Sequence, residues 1–304
     1  MTQLVLEQLL NGLQFGLMLF LLAAGLTLVF GIMDMINLSH GSLYMGGAYL
    51  GAAAAQASGS FLIGVVAAML GMAAIGFILE ILLLRRLYAR DHLAQVLATF
   101  ALILIANEVV RMIWGPQPLM LNPPELLAGP VEIFGFSYPA YRLFIIALGL
   151  GIAALLYLLV SHTRVGMWVR AGASNREMAQ ALGVNVRRLF TAIFMLGAAL
   201  CAVAGVLLGP LLAVQVGMGE NILILAFVVI VIGGIGSIRG ALVGSLLVGM
   251  VDTLGRALLP TLLRAVASPE VAAHVGPALA SIMIYLLMAG ILFWLPQGLF
   301  PSRA

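Results

Sequence analysis

Two acid–base pairs inside long apolar runs are the first residues here that could do chemistry. Glu108 and Arg111 stand three apart, Asp252 and Arg256 four apart, so each pair shares a helix face and can neutralise itself there. Ionisable groups in lipid either pair in this way or mark a pathway. Other constellations are missing. His40, His92, His162 and His274 are scattered without the spacing of shared metal ligation. The glycine cluster GGIGSIRG, Gly233 to Gly240, lacks the Lys-Ser/Thr ending of a phosphate loop and lies between apolar runs. There is no H-E-x-x-H, no partnered G-x-S-x-G and no pair of intramembrane aspartates. The expectation is a protein that does no bond chemistry and needs neither metal nor cofactor.

Three polar interruptions remain. The first is DMINLSHGS, Asp34 to Ser42, containing Asn37, Ser39, His40, Gly41 and Ser42. The second is the glycine cluster, with Gly233, Gly234, Gly236, Ser237 and Gly240. Irregular backbone at membrane depth survives only where it is buried in protein or lines water, so each break is either a plain loop or part of a solute route. LSHGSL and SIRGAL overlay faintly, and paired interruptions in an internal repeat point to a transporter's substrate site. The two breaks are expected to meet beside a pathway lined by Ser39, Ser42 and Ser237. The third interruption, Ser161 to Arg188, carries five of the fourteen arginines. Ser174 and Glu177 have the S-x-x-E spacing of a capping box, and Gly183 can end the helix in the left-handed conformation. The spacing predicts a helix over Asn175–Leu182, roughly 12 Å long, shaped to dock against something.

The elements that carry these residues are apolar. The 304-residue chain is 63% hydrophobic and 8% charged, with a mean hydropathy of +1.19. That composition places it in the lipid bilayer. Its base is all arginine and its net charge only +3, which implies no nucleic-acid partner. Cys201, the single cysteine, reads as a small buried hydrophobe, and residues 1–30 read as a retained span. Apolar runs near the 20 residues needed to cross predict an all-α, polytopic membrane bundle of eight or nine segments with broken helices, one transmembrane domain over 1–304. Arg85, Arg86, Arg90 and the five arginines of 161–188 put both of those loops in the cytoplasm. The stretch 115–140, with six of twelve prolines and no base, is expected to be an external irregular loop. Arg303 would keep the C-terminus inside. Small residues four apart, such as Gly12 and Gly16 or Gly47 and Gly51, suit close helix packing.

The third interruption is similar to the cytoplasmic coupling loop of ABC importer permeases, whose consensus is Glu-Ala-Ala, three residues, Gly, nine residues, Ile, one residue, Leu-Pro. Glu177, Ala179, Gly183 and Ile193 stand at matching positions, while Met178 replaces the first Ala and Met195-Leu196 the Leu-Pro. Together with GLTLVFGIMDMINLSHGSLYMGGAY, AVAGVLLGP and GGIGSIRGALVGSLLVG, the chain resembles the H-subunit type of branched-chain amino-acid ABC importer permease. Asp34 and Arg239 depart from that pattern. The resemblance implies an inner (plasma) membrane permease that pairs with a homologous second permease, two cytoplasmic ATP-binding subunits and an extracytoplasmic solute-binding protein. Transport would be by alternating access, with ATP hydrolysed by the partners and the coupling made through Arg170, Ser174, Glu177, Ala179 and Gly183. Urea and short-amide importers share these motifs, and a secondary amino-acid transporter is the rival from another class.

Overall fold

The computed structural model describes residues 2–133, 135–265 and 268–300. Helices α1 (Thr2–Met33), α2 (His40–Ser58) and α3 (Phe61–Leu79) lead into a π-helical turn, Glu80–Leu84, and a short α4 (Arg85–Leu87). After α5 (His92–Trp114) comes a hairpin of β1 (Pro130–Ile133) and β2 (Phe136–Pro139), then α6 (Ala140–His162). Helices α7 (Arg164–Ser174) and α8 (Arg176–Ala181) precede α9 (Val186–Leu208), α10 (Met218–Gly233), α11 (Ile238–Leu263) and α12 (Pro269–Trp294). Among the described residues, seven helices are long and apolar enough to cross a membrane. The Gly- and Ala-rich α2 and the 16-residue α10 bring the segments to nine, within the expected eight or nine.

Two expectations change. The 115–140 stretch is not wholly irregular, because β1 and β2 pair antiparallel from Pro130↔Pro139 to Ile133↔Phe136. Its prolines sit at the open end of the hairpin, where a missing N–H disrupts least. The 161–188 stretch is not one loop around a small helix, since α7 fills its first half. Arg303 lies outside the described residues.

Helices α1 and α9 form the centre. Their most apolar windows are 83% and 78% buried, against 17–33% for the other five spans, so those five present apolar faces to lipid or to a partner. The expected small-residue seams are used for packing. Gly12 and Gly16 lie against Met250 and Ser245 of α11, and Gly47 and Gly51 against Ala202 and Val206 of α9. Such contacts bring helix axes close enough for dispersion to hold them in lipid. Cys201 is fully buried in α9. Because α2 runs parallel to α9, with His40 beside Gly197, Gly47 beside Ala202 and Gly51 beside Val206, its first residue lies level with the middle of α9.

Candidate functional site

The capped helix α8 is present, with different punctuation at its start. Ser174 ends α7, and the N-cap is Asn175, whose Oδ1 accepts from the Met178 N–H at 2.9 Å. The Ser174–Glu177 capping box therefore does not form. Asn175 has extended backbone (φ −153°), which breaks the helix one residue later and places Met178, unable to reciprocate, at the third helical position. The far end is as expected. Gly183 has φ +87°, its N–H donates to Gln180 O at 2.9 Å, and the Val184 N–H donates to Ala179 O at 3.0 Å. This is the Schellman pattern. Ala179 is buried, whereas Glu177 is exposed and Met178 and Leu182 are 57% and 78% exposed. A stiff apolar knob thus points away from the bundle. Arg170 is exposed in α7, with its guanidinium donating to Val160 O.

Behind the knob lies a polar network that sequence spacing did not suggest. Arg176 donates from Nε to Ile32 O at 3.1 Å, satisfying a carbonyl that the end of α1 leaves free. Its guanidinium also sits 5.5 Å above the Phe190 ring. Tyr88 meets Phe190 edge-on at 5.4 Å and donates to Glu80 Oε1 at 3.0 Å. Glu80, fully buried, also accepts from Arg85 at 2.9 Å and Thr191 at 2.7 Å. Burial beside this carboxylate pushes the Tyr88 phenol well above its ordinary range. Glu80 and Arg85 are five apart, a spacing that does not pair on an α-helix. The π-turn brings them together, with the Arg85 N–H donating to Glu80 O, as i→i+5 bonding requires. The other two pairs form as their spacing predicts, Glu108–Arg111 at 3.1 Å and Asp252–Arg256 at 2.8 Å.

The two breaks approach where α1 ends, with Gly31 against Gly236; Asn37–Ser42 and the glycine cluster are not side by side. Asn37, Ser39 and His40 are buried and bond to one another. Asn37 Oδ1 accepts from the Ser39 N–H at 3.0 Å and from the Ser39 hydroxyl at 2.6 Å, and its amide meets His40 Nδ1 at 3.1 Å. Gly41 abuts Gly219 in the first turn of α10 with no room for a Cβ on either. Gly233 and Gly240 clasp equally tightly at the last turn of α10, about 20 Å further along that helix. There Gly234 and Gly236 have positive φ, and Ser237 accepts from the Gly240 N–H at 3.0 Å. Gly236, Ser237 and Arg239 border a cavity of about 410 Å³ together with Thr27, Arg170 and Ser174. The second break thus shares a cavity with two of the residues expected to couple, while the first is occupied in holding its own turn. Ser42 is half-buried, with its hydroxyl buried and unpartnered.

Comparison with known proteins accords with this architecture. The profile of the family described as "Branched-chain amino acid transport system / permease component" matches residues 8–292. The chain is 32% identical over 277 residues to the high-affinity branched-chain amino acid transport system permease protein LivH of Salmonella typhimurium, covering 84% of this chain and 87% of that one. LivH of Escherichia coli (strain K12) is 31% identical with the same coverage. BraD of Pseudomonas aeruginosa, described in the same words, is 31% identical over 264 residues, covering 82% and 86%.

Proposed function

Since the chain belongs to the branched-chain amino acid transport permease-component family, we propose that it is the membrane-spanning subunit of an ATP-driven, binding-protein-dependent importer of leucine, isoleucine and valine in the inner membrane. A second permease, two ATP-binding subunits and an extracytoplasmic binding protein complete the transporter. The observation that carries the mechanism is the exposed, doubly capped α8, whose inner side is tied by Arg176 to the end of α1 and to Phe190 of α9. A stiff two-turn element can transmit a push, because its conformation is already fixed. Docked in a cleft of an ATP-binding subunit, α8 would pass the partner's closure on ATP to α1 and α9, the two central helices, and alternating access would follow from their tilt.

The route is proposed to run along α10, with the two breaks in series. Gly41 and Ser42 lie at its first turn, and Gly233, Gly234, Gly236, Ser237 and Gly240 at its last. Asn37, Ser39 and His40 hold the upper turn in shape. The test is reconstitution with the partner subunits. Wild-type complex should take up leucine only with ATP, and Gly183→Val should lose solute-stimulated ATP hydrolysis or release the ATP-binding subunits, since a β-branched residue resists φ > 0. Normal coupling in Gly183→Val would refute the role of α8. Proton-driven uptake without ATP would point instead to a secondary transporter, and uptake of urea but not leucine to the amide class.

A further inference from the structure

Glu220 has no cation partner among the described residues, yet it lies level with the middle of α9. It follows Gly219, which packs on Gly41; Gly41 follows His40, which lies beside Gly197, the middle of α9. Its carboxylate is exposed at the subunit surface and accepts from Asn107 Nδ2 at 2.6 Å. An ionised carboxylate at this depth does not face hydrocarbon, so it meets water, a partner's cation or a solute. A narrow cleft adjoins it, bordered by Ser42, Asn107 and Glu220 and by the apolar Leu38, Ile103 and Leu223. Two residues at its border, Gly41 and Ser42, carry unsatisfied donors. The Ser42 hydroxyl has no partner, no side chain caps α2, and the amides of Gly41 and Ser42 donate to no backbone or side-chain acceptor among the described residues.

One fixed negative charge, a cluster of free donors and an apolar wall together match a zwitterion with an aliphatic side chain. We propose that this cleft is a transit site for the amino acid itself, with Glu220 receiving the α-ammonium and the Ser42 hydroxyl and amide receiving the α-carboxylate. Leu38, Ile103 and Leu223 then surround the branched side chain. The cleft has no room even for a water molecule in this structure, so admission needs α2, α5 and α10 to part, as alternating access would allow. A neutral amide would leave Glu220 unpaired, which makes the site a filter inside the permease in addition to any binding protein.

This inference rests on the proposed importer function, and the experiment separates the two. The full complex with its partner subunits is reconstituted in proteoliposomes, and ATP-driven uptake of radiolabelled leucine is measured beside ATP hydrolysis and co-purification. Uptake by the wild-type complex tests the importer reading alone. Glu220→Gln is expected to assemble normally and hydrolyse ATP at a basal rate within twofold of wild type, with uptake reduced at least tenfold. Glu220→Asp, which keeps the charge, is expected to recover at least a third of the wild-type rate. A smaller loss in Glu220→Gln overturns the proposal, as does failure of Glu220→Asp to recover. Loss of the second permease on purification overturns it too, by making Glu220 a subunit-pairing residue.

Discussion

Glu80 is the residue on which the inner ends of α3 and α9 depend. Its carboxylate is wholly buried and accepts from Arg85, Tyr88 and Thr191, so it holds two helices that share no sequence proximity. A buried charge contributes well only when its lone pairs are met, and removing one partner strands the others. Glu80→Leu is expected to cost about 3 kcal/mol, read as a lower midpoint of thermal unfolding in detergent. Thr191→Val removes one hydrogen bond to the carboxylate and is expected to cost about 1.5–3 kcal/mol. An unchanged midpoint in Glu80→Leu would mean that apolar packing alone carries this contact. Spacing on a regular helix gives no hint of the pair, since residues five apart diverge until a π-turn inserts the extra residue.

At the scale of the element, α8 shows how a short helix of six residues survives away from a core. Isolated, it would be far below the length at which helices persist in water. Asn175 at one end and Gly183 at the other satisfy backbone groups, Ala179 packs inward, and Arg176 tethers the whole to α1. The caps separate cleanly by mutation. Asn175→Ala is expected to weaken α8 by about 1 kcal/mol, seen as faster amide hydrogen exchange over residues 176–182. Ser174→Ala is expected to leave that exchange unchanged. The reverse order would restore the Ser174–Glu177 capping box. Residue types made this helix legible, but the choice between two adjacent capping side chains depended on which residue turned extended.

Across the whole molecule, the nine segments form a buried pair, α1 and α9, wrapped by helices that are mostly apolar on the outside. The arginine bias predicts the sides of this bundle. Single cysteines in a Cys201→Ser background test it with an impermeant thiol reagent. Glu125→Cys is expected to react only from outside the cell, and Ala173→Cys and Gln180→Cys only from the cytoplasmic side, since residues 125, 173 and 180 are exposed in the subunit. Labelling of position 125 from the cytoplasm alone would reverse the orientation of α5 and α6.

What the sequence determined by itself was whatever short-range physics decides. Unbroken apolar runs had to be helices in lipid, because every backbone group must be satisfied within its own segment. Gly183 had to end a helix, and pairs three and four apart had to meet. Distances across the fold were beyond its reach. Asn37–Ser42 and Gly233–Gly240 looked like neighbours because both are polar and glycine-bearing, yet Gly41 packs on the first turn of α10 and Gly240 on its last, while Gly31, at the end of α1, touches the cluster at Gly236. The depth of Glu220 likewise follows only from the Gly41–Gly219 contact, which places it level with the middle of α9. That contact arises from two backbones approaching without side chains between them, and such complementarity exists only once the helices have packed.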